Sequence, residues 1–325
     1  YKRQGLAILT TMAATARRHG VHLLTAWALL LLVASNLQAF FPMRPQLLSF
    51  LLFTIAMVCI DRGLPNRGDR LQIRFAWLWV LPPLMAIWVN CHGGFVAGLC
   101  IIGAVLLGKM LELLLRQGRP SLPLLAHLAA IGLACVAATL INPYGLDMHR
   151  WLAASLGSPR PEITEWAPPS LGTPVFWPFV GLCMVAALSL AGTRLRRDWT
   201  QVVILALVAW QASLHLRHIA FFALLCGFWL PVHLQSALAR LLPYQKREMA
   251  SLLPALWLRV SMAGAVLVAI VLQSFALADR LSDYPVYRDK FPVDALQYMV
   301  DHRLQGKLVV SFNWAQYAIA GPKSR

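Results

Sequence analysis

The chain has 325 residues, of which 59% are hydrophobic and only 13% charged, with a mean hydropathy of +0.62. A water-soluble domain usually has about a quarter of its residues charged, so that class is excluded. The net charge of +16 could suggest nucleic acid, but no basic groove with interleaved aromatics occurs. Most of the charge is a loop bias suited to anionic lipid headgroups, so no nucleic-acid partner is expected.

The first segment, 1–21, holds Tyr1-Lys2-Arg3, an apolar run from Gly5 to Ala14, and Arg17-Arg18-His19-Gly20. It reads as a cytoplasmic or juxtamembrane segment, either the end of an earlier span or a helix on the membrane surface. Nine apolar stretches follow, at 22–42, 46–60, 75–90, 95–115, 123–142, 174–192, 199–214, 218–234 and 257–277. A spanning helix needs about 20 residues to cross about 30 Å of hydrocarbon. The expected fold is therefore an all-α polytopic membrane protein with about nine transmembrane helices. Residues 22–277 form that domain, with an exterior loop at 143–173. Residues 278–325 read as the start of a small exterior α/β domain. In it, Val293 to His302 has helical spacing and Lys307 to Phe312 reads as a buried strand. Both ends of the sequence suggest a longer protein.

The charges fall on alternate connections. One side, A, holds eighteen Lys and Arg, among them Arg17, Arg18, Arg62, Arg74, Lys109, Arg116, Arg194, Arg196, Arg197 and Arg240. The other, side B, holds Arg44, Arg150, Arg160 and Arg217. Short basic loops stay in the cytoplasm, which puts side A inside and side B, with the tail, outside. The six cysteines lie in or beside apolar stretches without CxxC spacing and read as core residues.

Polar residues at a membrane edge are costly and usually functional. Those of this chain gather on side B: Arg44; Asn90 and His92 with Gly93-Gly94; Asn142, Tyr144 and His149; Arg160, Glu162, Glu165 and Trp166; Arg217 and His218. Arg forms fork-like bonds to phosphate, so Arg217 with His218, and Arg44 as partner, suit a lipid-linked phosphate. Carboxylates such as Glu162 and Glu165 can act as a base or hold a divalent cation. Each feature also has a plainer reading as a helix cap, a turn, a solvated loop or a snorkelling Arg. No HxxxH or HExxH spacing, phosphate-binding Walker loop or dinucleotide GxGxxG occurs, so no zinc site or nucleotide cofactor is expected.

Five segments carry a resemblance: Arg44-Pro-Gln-Leu-Leu-Ser-Phe50, Trp88-Val-Asn-Cys-His-Gly-Gly-Phe95, Asn142-Pro-Tyr-Gly145, Ile163-Thr-Glu-Trp-Ala-Pro-Pro169 and Arg217-His-Ile-Ala-Phe-Phe222. With Phe291-Pro-Val-Asp-Ala295 and Gly306-Lys-Leu-Val-Val-Ser-Phe-Asn-Trp314, they resemble bacterial polytopic proteins of the GT-C superfamily of lipid-linked-sugar glycosyltransferases, which includes the protein mannosyltransferases. The resemblance implies the bacterial inner membrane and a polyprenyl-phosphate sugar donor at the exterior face. It implies that Arg44, Arg217 and His218 hold the phosphate. It also implies a pocket of Asn90, His92, Tyr144, Arg160, Glu162, Glu165 and Trp166. The catalytic carboxylate of such enzymes usually lies in an N-terminal exterior loop, and no residue of this chain matches it. Ala315 stands where the tail motif has Gly.

The rival expectations are a non-catalytic scaffold or accessory subunit with protein partners, and a transporter. A transporter would show internal repeats and midplane charges, and neither stands out in the sequence.

Overall fold

The computed structural model describes residues 2–40, 45–67, 70–118, 121–156, 164–241, 288, 291–311, 314, 315 and 318. The chain divides into two compact units, residues 1–243 and 244–325.

The first unit is helical. Its helices are α1 (Lys2–Arg18), α2 (Leu23–Leu37), α3 (Gln46–Gly63), α4 (Phe75–Leu78), α5 (Leu81–Val89) and α6 (Phe95–Gln117). They continue as α7 (Leu122–Ala138), α8 (Leu146–Leu156), α9 (Phe176–Gly192), α10 (Trp199–Leu214), α11 (Ile219–Trp229) and α12 (Pro231–Leu241). Its strands, among the described residues, are a two-residue antiparallel pair, β1 (Asn66–Arg67) with β2 (Arg70–Leu71).

Among the described residues, three helical stretches are long and apolar enough to cross a membrane: Leu23–Phe40, Gln46–Gly63 and Phe95–Arg116. The pair Leu216–Trp229 and Pro231–Arg240, bent by 62°, raises the number to four if taken as one span. The bend falls at Pro231, whose missing N–H breaks the helical ladder. Four shorter apolar helices, Phe75–Val89, Leu122–Ala138, Phe176–Gly192 and Trp199–Leu214, match further expected stretches. At 1.5 Å per residue, 17 residues cover about 25 Å, which is less than the hydrocarbon thickness. The stretch at 257–277 lies outside the described residues.

Helix α11 is the axis of the bundle. Every residue from Ile219 to Trp229 is buried, and α1, α2, α3, α9, α10 and α12 all pack against it. Phe221 meets Phe50 and Phe53 edge to face, at 5.8 and 5.3 Å between ring centroids. Lipid tails are as apolar as Leu, so such helices are held by close packing more than by removal from water. Gly98 on α6 lies under the indole of the fully buried Trp88, and Gly227 on α11 lies under Met12 of α1. A side chain at either glycine would occupy its neighbour's space.

Helix α1 packs against α2, α3 and α11, with Ile8 and Met12 fully buried. One sequence expectation changes here. Lys109 does not belong to a connection. It lies inside α6 with 4% of its side chain exposed, and Asp198 and Glu112 satisfy its charge.

The two ends of the bundle separate as the charge pattern implies. At the A end, Arg18 and His19 bond Asp61, Arg194 N–H donates to Ser236 Oγ, and the Gln235 side chain bonds Gly20 O. At the B end, Ser49 meets His92, Asn90 bonds Ile141 O, and Trp166 meets His215. All six cysteines are free.

In the second unit, α13 (Val293–Asp301) forms where helical spacing predicts it. Leu296 is its buried residue, whereas Ala295 and Val300 are exposed. Lys307 to Ser311 do not form the expected strand, and Val309 is 94% exposed. A strand needs a partner to satisfy its N–H and C=O groups, and the described residues of this unit provide none.

Candidate functional site

The B end is assembled from three connections. The first is the turn between α5 and α6, Asn90 to Gly94. His92 Nδ1 accepts from Gly94 N–H at 3.0 Å and lies 2.9 Å from Ser49 Oγ. A nitrogen that accepts from a backbone N–H carries no proton, so the neutral ring holds its hydrogen on Nε2. Ser49 Oγ–H then donates to His92 while accepting the Trp88 indole N–H at 2.8 Å. Gly94 leaves no room for a side chain here, since an added Cβ would press on Ser49 Oγ and the His92 ring. Ser49 and Trp88 thus fix the orientation of His92.

The second connection is Thr164 to Ala167 and the third is His215 to His218. They are tied by the backbone: Leu216 N–H donates to Ala167 O at 3.0 Å. His215 Nδ1 lies 2.6 Å from Trp166 O, so that nitrogen is the donor. These bonds carry Arg217 to the Trp166 ring, with its guanidinium carbon 5.1 Å from the ring centroid, within cation–π range. The His218 ring lies 5.8 Å from the His215 ring, centroid to centroid.

Electrostatics link the three connections. Burial holds the His92 pKa below its usual value, and the nearby Arg217 charge lowers it further, while the Glu165 carboxylate opposes both. Burial lowers the Arg217 pKa, and the Glu165 carboxylate opposes that shift. The B end therefore presents a neutral imidazole, a guanidinium on an aromatic face and a carboxylate in one neighbourhood.

His92 also lines an open groove of about 570 Å³. Asn90, Tyr144, Asp147 and Trp151 line it. Tyr144 and Trp151 are 69% and 61% exposed. The Asn142-Pro-Tyr-Gly turn sets Tyr144: Asn142 Oδ1 accepts Tyr144 N–H at 2.8 Å, and its amide donates to Thr139 O at 2.9 Å. Gly145, at φ +51°, completes a turn that a side chain would strain.

Of the residues singled out in the sequence, His92, Glu165, Trp166, Arg217 and His218 gather around the three connections, and Tyr144 joins His92 at the groove. Asn90 has a structural part, since its amide donates to Ala86 O at 2.8 Å and Ile141 O at 2.7 Å. Arg44, Arg160 and Glu162 lie outside the described residues. Among the described residues, no three His, Cys, Asp or Glu side chains converge as a metal site.

Sequence reasoning missed Ser49, His215, Asp147 and Trp151 as contributors. Ser49 sits within the quoted Arg44-to-Phe50 segment, but nothing in its spacing marks it as the support of a histidine 43 residues away. Comparison with known proteins gives no match to this chain among protein-family models, curated proteins or solved structures.

Proposed function

We propose that this chain is an integral membrane glycosyltransferase-like protein that takes a polyprenyl-phosphate sugar at its B end. In this reading it crosses the membrane about nine times. The shorter apolar helices are completed by their flanking residues, and 257–277 is the last span. The basic A end is cytoplasmic, and the B end and C-terminal tail are exterior, as in a bacterial inner membrane protein. The resemblance of the quoted segments to GT-C proteins gives the reaction class.

The single observation that carries the reading is the juxtaposition of Arg217, Trp166, Glu165 and His92 at one bundle end. Arg217 supplies the charge-assisted bonds that a lipid phosphate needs, with His218 beside it and Arg44 as the second cation. As the glycosyl bond breaks, negative charge grows on the departing phosphate, and a preorganised cation favours that change. Glu165, with Glu162, orients the acceptor hydroxyl or holds a divalent cation. His92 and Tyr144 shape the acceptor side.

The test is release of lipid phosphate from a radiolabelled polyprenyl-phosphate sugar by the full-length protein in liposomes. The reading expects sugar release or transfer that falls at least tenfold in Glu165→Gln. Binding of the donor without any turnover would replace the enzyme by a scaffold that retains the lipid site.

A further inference from the structure

The groove at His92 has a lining that a lipid tail does not explain. Part of it is apolar, with Val89 and Phe95 buried and Met148 and Leu152 packed against the bundle core. The rest alternates aromatic and polar groups. Asp147 N–H donates to Tyr144 O at 3.0 Å, so Tyr144 belongs to the turn that starts α8. Tyr144, Asp147 and Trp151 then stand at i, i+3 and i+7, which is the spacing of one helical face. All three line the groove, as an aromatic, a carboxylate and an aromatic.

The turn between α5 and α6 adds fixed polar groups. Both hydrogens of the Asn90 amide are used, on Ala86 O and Ile141 O, which leaves Oδ1 as an acceptor. His92 Nδ1 is taken by Ser49 and Gly94, and the hydrogen on Nε2 meets no acceptor among the described residues. Arg150 pairs with Asp147 at 2.9 Å, so the lining carries no net charge.

We propose that this groove binds a neutral carbohydrate chain, with pyranose rings on Tyr144 and Trp151 and their hydroxyls at Asp147, Asn90 and His92, and that this carbohydrate is the acceptor. The C–H face of a pyranose, with its slightly positive hydrogens, suits the electron-rich face of an aromatic ring. A sugar hydroxyl is donor and acceptor at once, which matches an N–H donor beside amide and carboxylate acceptors. A lipid tail would leave all of these polar groups unused. A peptide would need backbone partners, and α8 uses its own N–H and C=O groups within the helix. Because His92 also faces the Arg217 and Glu165 cluster electrostatically, the groove is continuous with the donor side. The role of acceptor rests on the sugar-transfer reading of the B end, whereas the binding does not.

The test uses the full-length protein in phosphatidylcholine nanodiscs, without any donor. Maltotetraose, cellotetraose, chitotetraose and mannotetraose are titrated and followed by saturation-transfer NMR and calorimetry. One or more of them should bind with a Kd of about 1 mM or tighter. Trp151→Ala should weaken that binding about tenfold and Asp147→Asn about threefold. Trp177→Ala, an equally exposed tryptophan outside the groove, should leave it unchanged. Absence of binding by all of these sugars at about 10 mM overturns the proposal, as do equal effects of Trp151→Ala and Trp177→Ala. Binding of a Thr-rich octapeptide but of no sugar overturns it in favour of a protein acceptor. Loss of copurified phospholipid in Trp151→Ala, with no sugar bound by the parent, makes the groove a lipid site and overturns it too. Sugar binding without turnover of a polyprenyl-phosphate sugar would uphold the groove and remove the transfer reading, and turnover without sugar binding would do the reverse.

Discussion

Lys109 Nζ lies 2.5 Å from Asp198 Oδ2, with 4% and 3% of the two side chains exposed. The pair fastens α6 to the start of α10 across 89 residues of sequence. Asp198 also caps α10, so one carboxylate holds both a neighbouring helix and its own.

Removing one partner leaves a buried charge. Lys109→Met should destabilise the protein by about 3–5 kcal/mol, and Lys109→Met with Asp198→Asn by clearly less, because a neutral pair needs no counter-charge. Thermal unfolding of the single and double variants in detergent measures the difference. An equal loss in both would mean that the ion pair itself is not what Lys109 contributes.

The His92 ring should make stability depend on pH. Its folded pKa is lowered by burial and then by Arg217, while the unfolded value is near 6.5. Below that value the unfolded chain binds more protons than the folded one, so the unfolded state gains. The stability contributed by His92 is present above about pH 6.5 and is lost as the pH falls toward the lowered folded value. The melting temperature should fall on acidification from pH 7.5, and His92→Gln should flatten that decline. An unchanged pH profile in His92→Gln would show that other groups govern it.

Two glycines of α6 give a contrast within one helix. An added Cβ at Gly98 meets the Trp88 ring, whereas one at Gly103 meets nothing within 4 Å. Gly98→Leu should cost about 1–3 kcal/mol by overpacking, and Gly103→Leu should be neutral or slightly stabilising through its better helix propensity. Melting temperatures of the two variants decide it. Equal effects would place the close approach of α5 and α6 in doubt.

Apolar runs and turn residues made most of the bundle legible. Gln46 to Gly63 and Phe95 to Gln117 form helices close to where hydropathy puts them. Connectivity then explains why His92, Glu165 and Arg217 could be assigned to one end without coordinates, since each lies in a connection on the same side. What the sequence hid was pairing at a distance. A lysine late in an apolar run looks like the end of a span, and only the fold brings Asp198 beside Lys109. The contact of Met12 with Gly227 was hidden too, because Gly227 has no side chain to betray it. Ser49 was silent for the same reason as any buried hydroxyl, because its value lies in what it touches. The run from Lys307 to Ser311 has strand composition, but composition does not supply a neighbouring strand.

The most direct test of the account is donor binding at Arg217. The full-length protein, its Arg217→Ala variant and an Arg194→Ala control are titrated with a labelled polyprenyl-phosphate sugar. Losing charge-assisted bonds to a phosphate should cost about 1.5–3 kcal/mol, which is roughly ten- to a hundredfold in affinity. The account predicts that loss for Arg217→Ala and no change for Arg194→Ala, whose side chain is exposed at the A end. Equal affinities for the two variants would contradict it and take the lipid phosphate away from the Arg217, Trp166 and Glu165 cluster.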